Sequence, residues 1–199
     1  MGNKKRLSVL ISGMPSVGKT TAAGAVAKMF GLKIVAGGDM LKEMASERGY
    51  NVSGSDWWET KEGMKFLSER KRNPNFDKEV DRRLAQHLKN GGVVVTSYPM
   101  PWLSKDGIRF WFHASRKTRA ARLAGRDKIT NRKAVTLLKK RDAGNKRLYK
   151  KLYGIDFGED LSPFHFIINT EGLSAKQVAY MTSKLVSLYA KRRVIALGK

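Results

Sequence analysis

Short apolar runs, each followed by a glycine or a polar turn, predict five β-strands. The clearest is Val93-Val94-Val95-Thr96, in which four β-branched residues stand between a glycine pair and Ser97-Tyr98-Pro99. The other predicted strands are, in chain order, residues 6–12, 33–36, 108–113 and 164–169.

Helical segments alternate with these strands. Residues 19–30 are rich in Ala and Thr and are followed by Gly31, which is typical of a helix closed by a glycine C-cap. A second helix begins near Asp39 and continues to about Arg48. The remaining predicted helices cover residues 57–70, 76–90, about 116–124, 132–153 and 174 to about 192.

This alternation of strands and helices predicts a fold class. We expect a single α/β domain over residues 1–199, with a five-stranded parallel sheet and helices on both faces. The segments after the second and fourth strands are longer than a simple crossover needs. Ligands of such sheets bind beyond the carboxyl ends of the strands, and the candidate residues below follow those ends.

The turn after the first strand carries the clearest chemistry. Residues 13–20 (GMPSVGKT) match the phosphate-loop pattern G-x-x-x-x-G-K-[ST] between a predicted strand and a predicted helix. Its backbone N–H groups would surround phosphate oxygens, Lys19 would reach the outer phosphates and Thr20 would ligate Mg²⁺. The sequence therefore predicts binding of a nucleoside triphosphate with Mg²⁺. The candidate phosphate-binding residues are Gly13, Met14, Pro15, Ser16, Val17, Gly18, Lys19, Thr20 and Thr21.

The chain lacks the further motifs that are typical of two classes of phosphate-loop protein. A GTPase would be expected to carry an Asn-Lys-x-Asp motif for the base, and the chain has none. A motor ATPase would usually have an apolar strand ending in Asp, whereas residues 93–95 lead into Thr96-Ser97. A small kinase remains.

The charge is strongly basic, with 40 Lys plus Arg against 17 Asp plus Glu and a net charge of +23. Much of it lies between Lys105 and Lys151, where the only acidic residues are Asp106, Asp127 and Asp142. Such a field attracts polyanions. It fits a nucleotide with several phosphates, an RNA or DNA surface, or simply a solvated face, and composition leaves all three open.

Other compositional features exclude several classes. The chain has no Cys, which rules out a disulfide scaffold, a thiolate zinc site and a cysteine nucleophile. No apolar run approaches the roughly 18 residues that span a bilayer, so we expect a cytoplasmic protein. A hydrophobic content of 41% is sufficient for a packed core.

The chain resembles the nucleoside monophosphate kinases, most closely the archaeal type of cytidylate kinase. Beyond the phosphate loop, the matching features are Gly38-Asp39 opening a helix, the segment 76–83 (FDKEVDRR), Arg122, Arg126, Arg141, Arg147, and the segments 149–156 (YKKLYGID), 161–163 (LSP) and 167–170 (IINT).

This resemblance implies transfer of the γ-phosphoryl group of ATP to CMP or dCMP, with Mg²⁺ accompanying ATP. It implies a helical acceptor-binding insert at about residues 38–90 and a basic lid at about 114–148. The implied catalytic residues are Lys19, Arg122, Arg126, Arg141 and Arg147.

The acceptor site departs from the family pattern. An acidic residue and then an Arg are expected after the strand at 93–95, but the chain reads Thr96-Ser97-Tyr98-Pro99-Met100, and Lys42 stands where Arg is expected. Lys61, Lys65, Arg70 or Arg82 could bind the acceptor phosphate instead. The candidate acceptor-binding residues are Asp39, Lys42, Trp57, Trp58, Asp77, Arg82, Ser97 and Tyr98.

Trp57 and Trp58 allow two interpretations. They could stack on a pyrimidine, or one could fill the core beneath the insert while the other is partly exposed. The departures also leave a second function open, a kinase-fold nucleotide-binding protein with weakened catalysis that associates with RNA or the ribosome. The expected partners are ATP and a nucleoside monophosphate, with possible RNA contact through the basic second half, no membrane, and a monomer as the default.

Overall fold

The first strand lies at the centre of the sheet. The computed structural model describes residues 6–53, 57, 60–73 and 75–196, and within it every residue of β1 (Ser8–Gly13) is buried. The other strands of the described residues are β2 (Lys33–Ala36), β3 (Val93–Thr96), β4 (Ile108–His113) and β5 (Phe166–Asn169). All pairings are parallel and the order is β2-β3-β1-β4-β5.

Helices connect these strands. They are α1 (Lys19–Phe30), α2 (Gly37–Ser46), α3 (Lys61–Arg72), α4 (Asn75–Asn90), α5 (Met100–Leu103), α6 (Arg116–Asp127), α7 (Asn131–Tyr153) and α8 (Ala175–Ala196). The predicted α/β class with a parallel sheet is confirmed. No helix in the described part of the chain has the length and apolar character to cross a membrane.

Local chemistry explains two differences between the predicted and the observed elements. The helix predicted from Trp57 begins at Lys61, because the Thr60 hydroxyl accepts a hydrogen bond from the Gly63 N–H at 3.1 Å and caps it. The four-residue helix α5 was not predicted from the sequence. Its segment contains Pro101 at the start of the helix and is too short to show a helical period.

Alternate residues of β1 face two different cores. Val9 and Ile11 pack with Val26 of α1, Phe110 of β4 and other apolar residues, including Val186 of α8. Leu10 faces the opposite side, where it joins apolar residues of β2, β3 and helices α2 to α4. The period of two along the strand therefore covers both faces of the sheet with helices, as a parallel sheet requires.

A third, aromatic cluster lies beside the sheet. Trp111 of β4 packs against Phe157 and Phe164, and Phe157 contacts Tyr149 near the end of α7. This packing fixes the last turns of α7 against β4. One face of α7 is thereby held close to the carboxyl ends of the strands.

Candidate active site

The phosphate loop joins β1 to α1 in the conformation that its glycines permit. Gly13 has φ 142°, and a Cβ at this position would lie 2.4 Å from the Phe112 carbonyl oxygen of the neighbouring strand. Only glycine therefore fits. Ser16, with φ 65°, also adopts the left-handed conformation, and its buried Oγ has no hydrogen-bond partner among the described residues. The loop is thus a strained concavity with an unsatisfied polar atom.

Lys19 lies across this loop. Its Nζ donates to the carbonyl oxygens of Gly13 and Met14 at 2.8 and 2.9 Å, and lies 4.7 Å from the centre of the Tyr98 ring. Burial, helped by the nearby positive charge of Arg119, lowers the pKa of the Lys19 ammonium to about 7. No carboxylate of the described residues forms an ion pair with Lys19 that would keep it protonated, and a bound polyphosphate would supply that negative charge.

A cavity of about 730 Å³ opens over the loop. Three of the predicted arginines line it. Arg122 is anchored by hydrogen bonds from its guanidinium to the Thr170 hydroxyl at 2.9 Å and the Thr170 carbonyl at 2.6 Å. Arg126 pairs with Asp127 at 2.7 Å. Arg141 has no ion pair within the described residues. We call this space, lined by residues 15–21, Tyr98, the three arginines and residues 173–175 and 178, the loop cavity.

The structure places Arg147, also predicted as catalytic, elsewhere. Six residues of α-helix correspond to about 1.7 turns, so Arg147 lies about 120° around α7 from Arg141. It lines a shallow, solvent-facing groove with Lys146, Lys150 and Lys151 and is not part of the loop cavity. The spacing along α7 thus separates Arg147 from the other four predicted catalytic residues.

A second cavity, of about 340 Å³, lies between the insert helices and the ends of β2 and β3. We call it the insert cavity. The predicted residues Asp77, Ser97 and Tyr98 line it, as does Arg70, one of the four cations considered for an acceptor phosphate. Its polar residues are Lys19, Arg70, Asp77, Asp81, Thr96, Ser97, Tyr98, Asn145 and Tyr149.

Three other predicted acceptor residues do not line this cavity. The Asp39 carboxylate accepts a hydrogen bond from the Ala36 N–H at 3.1 Å and so stabilises the start of α2. Arg82 projects from α4 with an exposed side chain and makes two hydrogen bonds to Glu79, at 2.7 and 2.8 Å. Lys42 lies on α2 outside the lining residues. Among the described residues that line the insert cavity, Arg70 is therefore the one that supplies a guanidinium.

Trp57 is a core residue. It is 1% exposed and packs against Phe66, with ring centres 5.8 Å apart, in the cluster beneath the insert. A side chain so placed has no free face for a pyrimidine, which contradicts the stacking interpretation for this residue. Trp58, the other candidate, lies outside the described residues.

The polar lining residues that were not predicted from the sequence include Asp81, Asn145 and Tyr149. Asn145 and Tyr149 follow Arg141 at intervals of four residues, so all three lie on one stripe of α7 that faces the cavities. This spacing was visible in the sequence. Asp81 follows Asp77 by the same interval on α4 and could have been found in the same way.

The two cavities meet at one point. Lys19 and Tyr98 are the residues that line both of them. A phosphate group held in the loop cavity and one held in the insert cavity would therefore approach each other at the Lys19 amine. This arrangement suits transfer of a phosphoryl group between two bound substrates.

Comparison with known proteins agrees with this geometry. The model of the cytidylate kinase-like family matches residues 8–172, which include the phosphate loop, every residue that lines the insert cavity and most of those that line the loop cavity. The chain belongs to the cytidylate kinase-like family. It is thus a phosphate-loop kinase of the nucleoside monophosphate kinase type.

Relatives of this kinase cover most of the chain. A cytidylate kinase of Pyrococcus horikoshii is 32% identical over 176 residues, which are 88% of this chain and 85% of that protein. A cytidylate kinase of Methanocaldococcus jannaschii is 31% identical over 183 residues, 89% of this chain and 96% of the relative. The resemblance to the archaeal type, inferred from motifs, is confirmed.

Solved structures show the same fold. The shikimate kinase of Bacteroides thetaiotaomicron superposes with a TM-score of 0.58 over 93% of this chain and 98% of its own, at 11% sequence identity. At this level of identity the likeness concerns the fold alone.

The residues around the loop fit a Mg²⁺ ion that arrives with ATP. The described residues contain no group of three or more His, Cys, Asp or Glu side chains that could hold a metal. Thr20 lines the loop cavity beside Lys19 and can supply one hydroxyl oxygen. Mg²⁺ in kinases commonly takes few protein ligands and completes its shell with phosphate oxygens and water, so this donor set is sufficient.

Proposed function

We propose that this kinase transfers the γ-phosphoryl group of ATP to CMP, and also to dCMP, giving ADP and CDP or dCDP. The observation that carries the proposal is the junction of the two cavities at Lys19 and Tyr98. The names of the archaeal relatives supply the choice of acceptor.

The loop cavity would hold the triphosphate of ATP. Backbone N–H groups of residues 13–20 and the start of α1 would bind its oxygens, and Arg122, Arg126 and Arg141 would neutralise charge on the transferred group. Mg²⁺, held by Thr20 and the phosphates, would supply further positive charge when bound. We assign α6 and most of α7, at about residues 114–148, to a lid over this group.

The insert cavity, built by the segment at about 38–90, would hold the nucleoside monophosphate. Its phosphate would lie toward Lys19, within reach of Arg70 on α3. A phosphate oxygen of the acceptor attacks the γ-phosphorus, the bond to the β-phosphate oxygen breaks, and ADP leaves. The acceptor phosphate is already largely dianionic at neutral pH, so no protein base is needed.

We place this reaction in the cytoplasm and expect a single domain acting as a monomer. The alternative of an RNA-associated protein with weakened catalysis gains no support from the relatives, which are named cytidylate kinases. We do not propose it.

The test is formation of ADP by purified protein with Mg²⁺, ATP and, separately, CMP, dCMP, UMP or AMP. We expect rapid turnover with CMP and dCMP, and loss of turnover by at least about 100-fold in Lys19→Met. The matched control is Lys28→Met, which removes an exposed lysine at the other end of α1. Absence of turnover with CMP from protein that binds ATP would contradict the proposal.

A further inference from the structure

The insert cavity contains two carboxylates with different partners. Asp77 and Asp81 are one turn apart on α4, and both are less than 10% exposed. Asp77 pairs with the Arg70 guanidinium at 2.5 Å. Asp81 has no ion pair among the described residues, and its Oδ2 accepts a hydrogen bond from the Tyr153 hydroxyl at 2.7 Å. Within the part of the chain that the structure describes, one carboxylate is therefore neutralised by a cation and the other accepts a hydrogen bond from a phenol.

Asp81 retains capacity to accept a hydrogen bond. An ionised carboxylate accepts at both oxygens, and within the described part of the chain a partner is found only for Oδ2. Val80, Leu84 and Leu41 also line the cavity, and Asp81 itself is only 8% exposed, so water has limited access to its carboxylate. Burial raises the pKa of Asp81 to about 6, which still leaves the carboxylate mostly ionised above pH 7. A ligand that donates an N–H group would form the most favourable contact with such an acceptor.

Asp81 lines the insert cavity but not the loop cavity, whereas Lys19 lines both, and this difference indicates which part of the ligand Asp81 meets. Lys19 and Tyr98 mark the end of the cavity next to the loop, where the reacting phosphate must lie. The Asp77 carboxylate is neutralised by Arg70, but a carboxylate without a cation partner would repel that phosphate, so Asp81 suits the uncharged base. At the 4-position cytosine carries an amino group, which donates, whereas uracil carries a carbonyl oxygen, which accepts.

We propose that Asp81 is a specificity-determining residue that accepts a hydrogen bond from the 4-amino group of the acceptor cytosine, and that Tyr153 positions it. This inference rests on the proposed function. With UMP, the carbonyl oxygen would face the carboxylate without a hydrogen between them, leaving two acceptors unpaired. Sites that pair a buried polar group with one substrate discriminate strongly against the analogue that lacks the matching group.

The experiment compares kcat/KM for CMP and UMP in the wild type and in Asp81→Asn. The amide can donate to the uracil carbonyl, so we expect the CMP-to-UMP ratio of kcat/KM to fall by at least about 30-fold. The matched control is Glu43→Gln, an exposed carboxylate on α2, which should leave the ratio unchanged. An equal loss for both nucleotides in folded Asp81→Asn would overturn the inference and assign Asp81 a structural role.

A second variant covers the case in which Asp81→Asn fails to fold. Tyr153→Phe removes the positioning hydroxyl and keeps the carboxylate, and we expect the CMP-to-UMP ratio to fall by about 3- to 10-fold. An unchanged CMP-to-UMP ratio in Tyr153→Phe would overturn the positioning role of Tyr153. If Asp81→Asn also failed to fold, that unchanged ratio would overturn the whole inference. A wild type that phosphorylates no CMP would overturn the proposed function. A wild type that uses CMP and UMP equally would overturn only the inference.

Discussion

Arg119 of α6 and Asp142 of α7 form a buried, bidentate ion pair. Nη1 and Nη2 of the guanidinium donate to Oδ1 and Oδ2 of the carboxylate at 3.0 and 2.8 Å, and both side chains are less than 10% exposed. The same Nη1 lies 3.4 Å from the Pro15 carbonyl oxygen of the phosphate loop. One side chain therefore joins both helices of the lid region to the loop.

We expect Asp142→Asn to lower the free energy of unfolding by about 3 kcal/mol, because it leaves the Arg119 charge buried without its counter-ion. Urea denaturation of the ligand-free protein measures this change. Asp127→Asn provides the comparison. It breaks the ion pair with Arg126, whose side chain is 63% exposed, and should lower the free energy of unfolding by less than about 1 kcal/mol. Equal effects of the two substitutions would contradict the importance of the buried pair.

Trp57→Phe tests the assignment of this tryptophan to the core. Trp57 fills space beside Phe66 beneath the insert, so the smaller ring should lower the free energy of unfolding by about 1 to 3 kcal/mol. Because no face of the ring is open to the cavity, the KM for CMP should stay within about twofold of the wild-type value. Steady-state kinetics together with urea denaturation separate the two effects. A large rise in KM with unchanged stability would restore the stacking interpretation.

The fold was largely predictable because its signals are local. The strand at Val93–Thr96 is a run of β-branched residues between turns, and its predicted bounds match those observed. The glycine after α1 has φ 62° and closes that helix as predicted. The start of α3 was not predicted correctly, because the choice between Trp57 and Thr60 depends on which side chain caps the helix and which one packs beneath it.

The insert cavity was harder to predict because its lining depends on which faces of the helices pack against one another. Lys61, Lys65, Arg70 and Arg82 all had the required charge, and only the packing of α3 and α4 shows that Arg70 lines the cavity. Arg141 and Arg147 have the same charge and lie on the same helix, but Arg141 lines the loop cavity whereas Arg147 lines a separate groove. The phosphate loop needed no such information, since one short segment contains its whole geometry.

Arg70 should determine the affinity for the acceptor phosphate. Its guanidinium now pairs with Asp77, and a dianionic phosphate entering the insert cavity would compete for it with charge-assisted hydrogen bonds. We expect Arg70→Gln to raise the KM for CMP by about 30-fold or more while the KM for ATP changes little. Initial rates with each substrate varied in turn give both constants.

The matched control for Arg70 is Arg72→Gln, two residues further on the same helix and exposed. It removes the same charge from the protein without changing the cavity. If both variants raised the KM for CMP equally, the effect would come from the general positive field, and Arg70 would have no direct contact with the phosphate.

Lys19 should take up a proton when ATP binds. In the ligand-free protein, burial and the charge of Arg119 lower its pKa to about 7, so at pH 8 the amine is mostly neutral. The triphosphate brings negative charge next to Nζ, which favours the ammonium form and raises this pKa. Binding of Mg²⁺ and ATP at pH 8 should therefore consume close to one proton per site, whereas at pH 6 the lysine is already protonated and the uptake should be small.

Calorimetric titration of the protein with Mg²⁺ and ATP, in two buffers of different ionisation enthalpy, measures this uptake directly. Lys19→Arg is the informative variant, because a guanidinium stays charged throughout this range and abolishes the uptake while keeping a cation in the loop. Uptake that rises between pH 6 and 8 in the wild type and is absent in Lys19→Arg would assign the proton to Lys19. Equal uptake in both proteins would place it on another group, and the loop would then hold a lysine that is already charged before the nucleotide arrives.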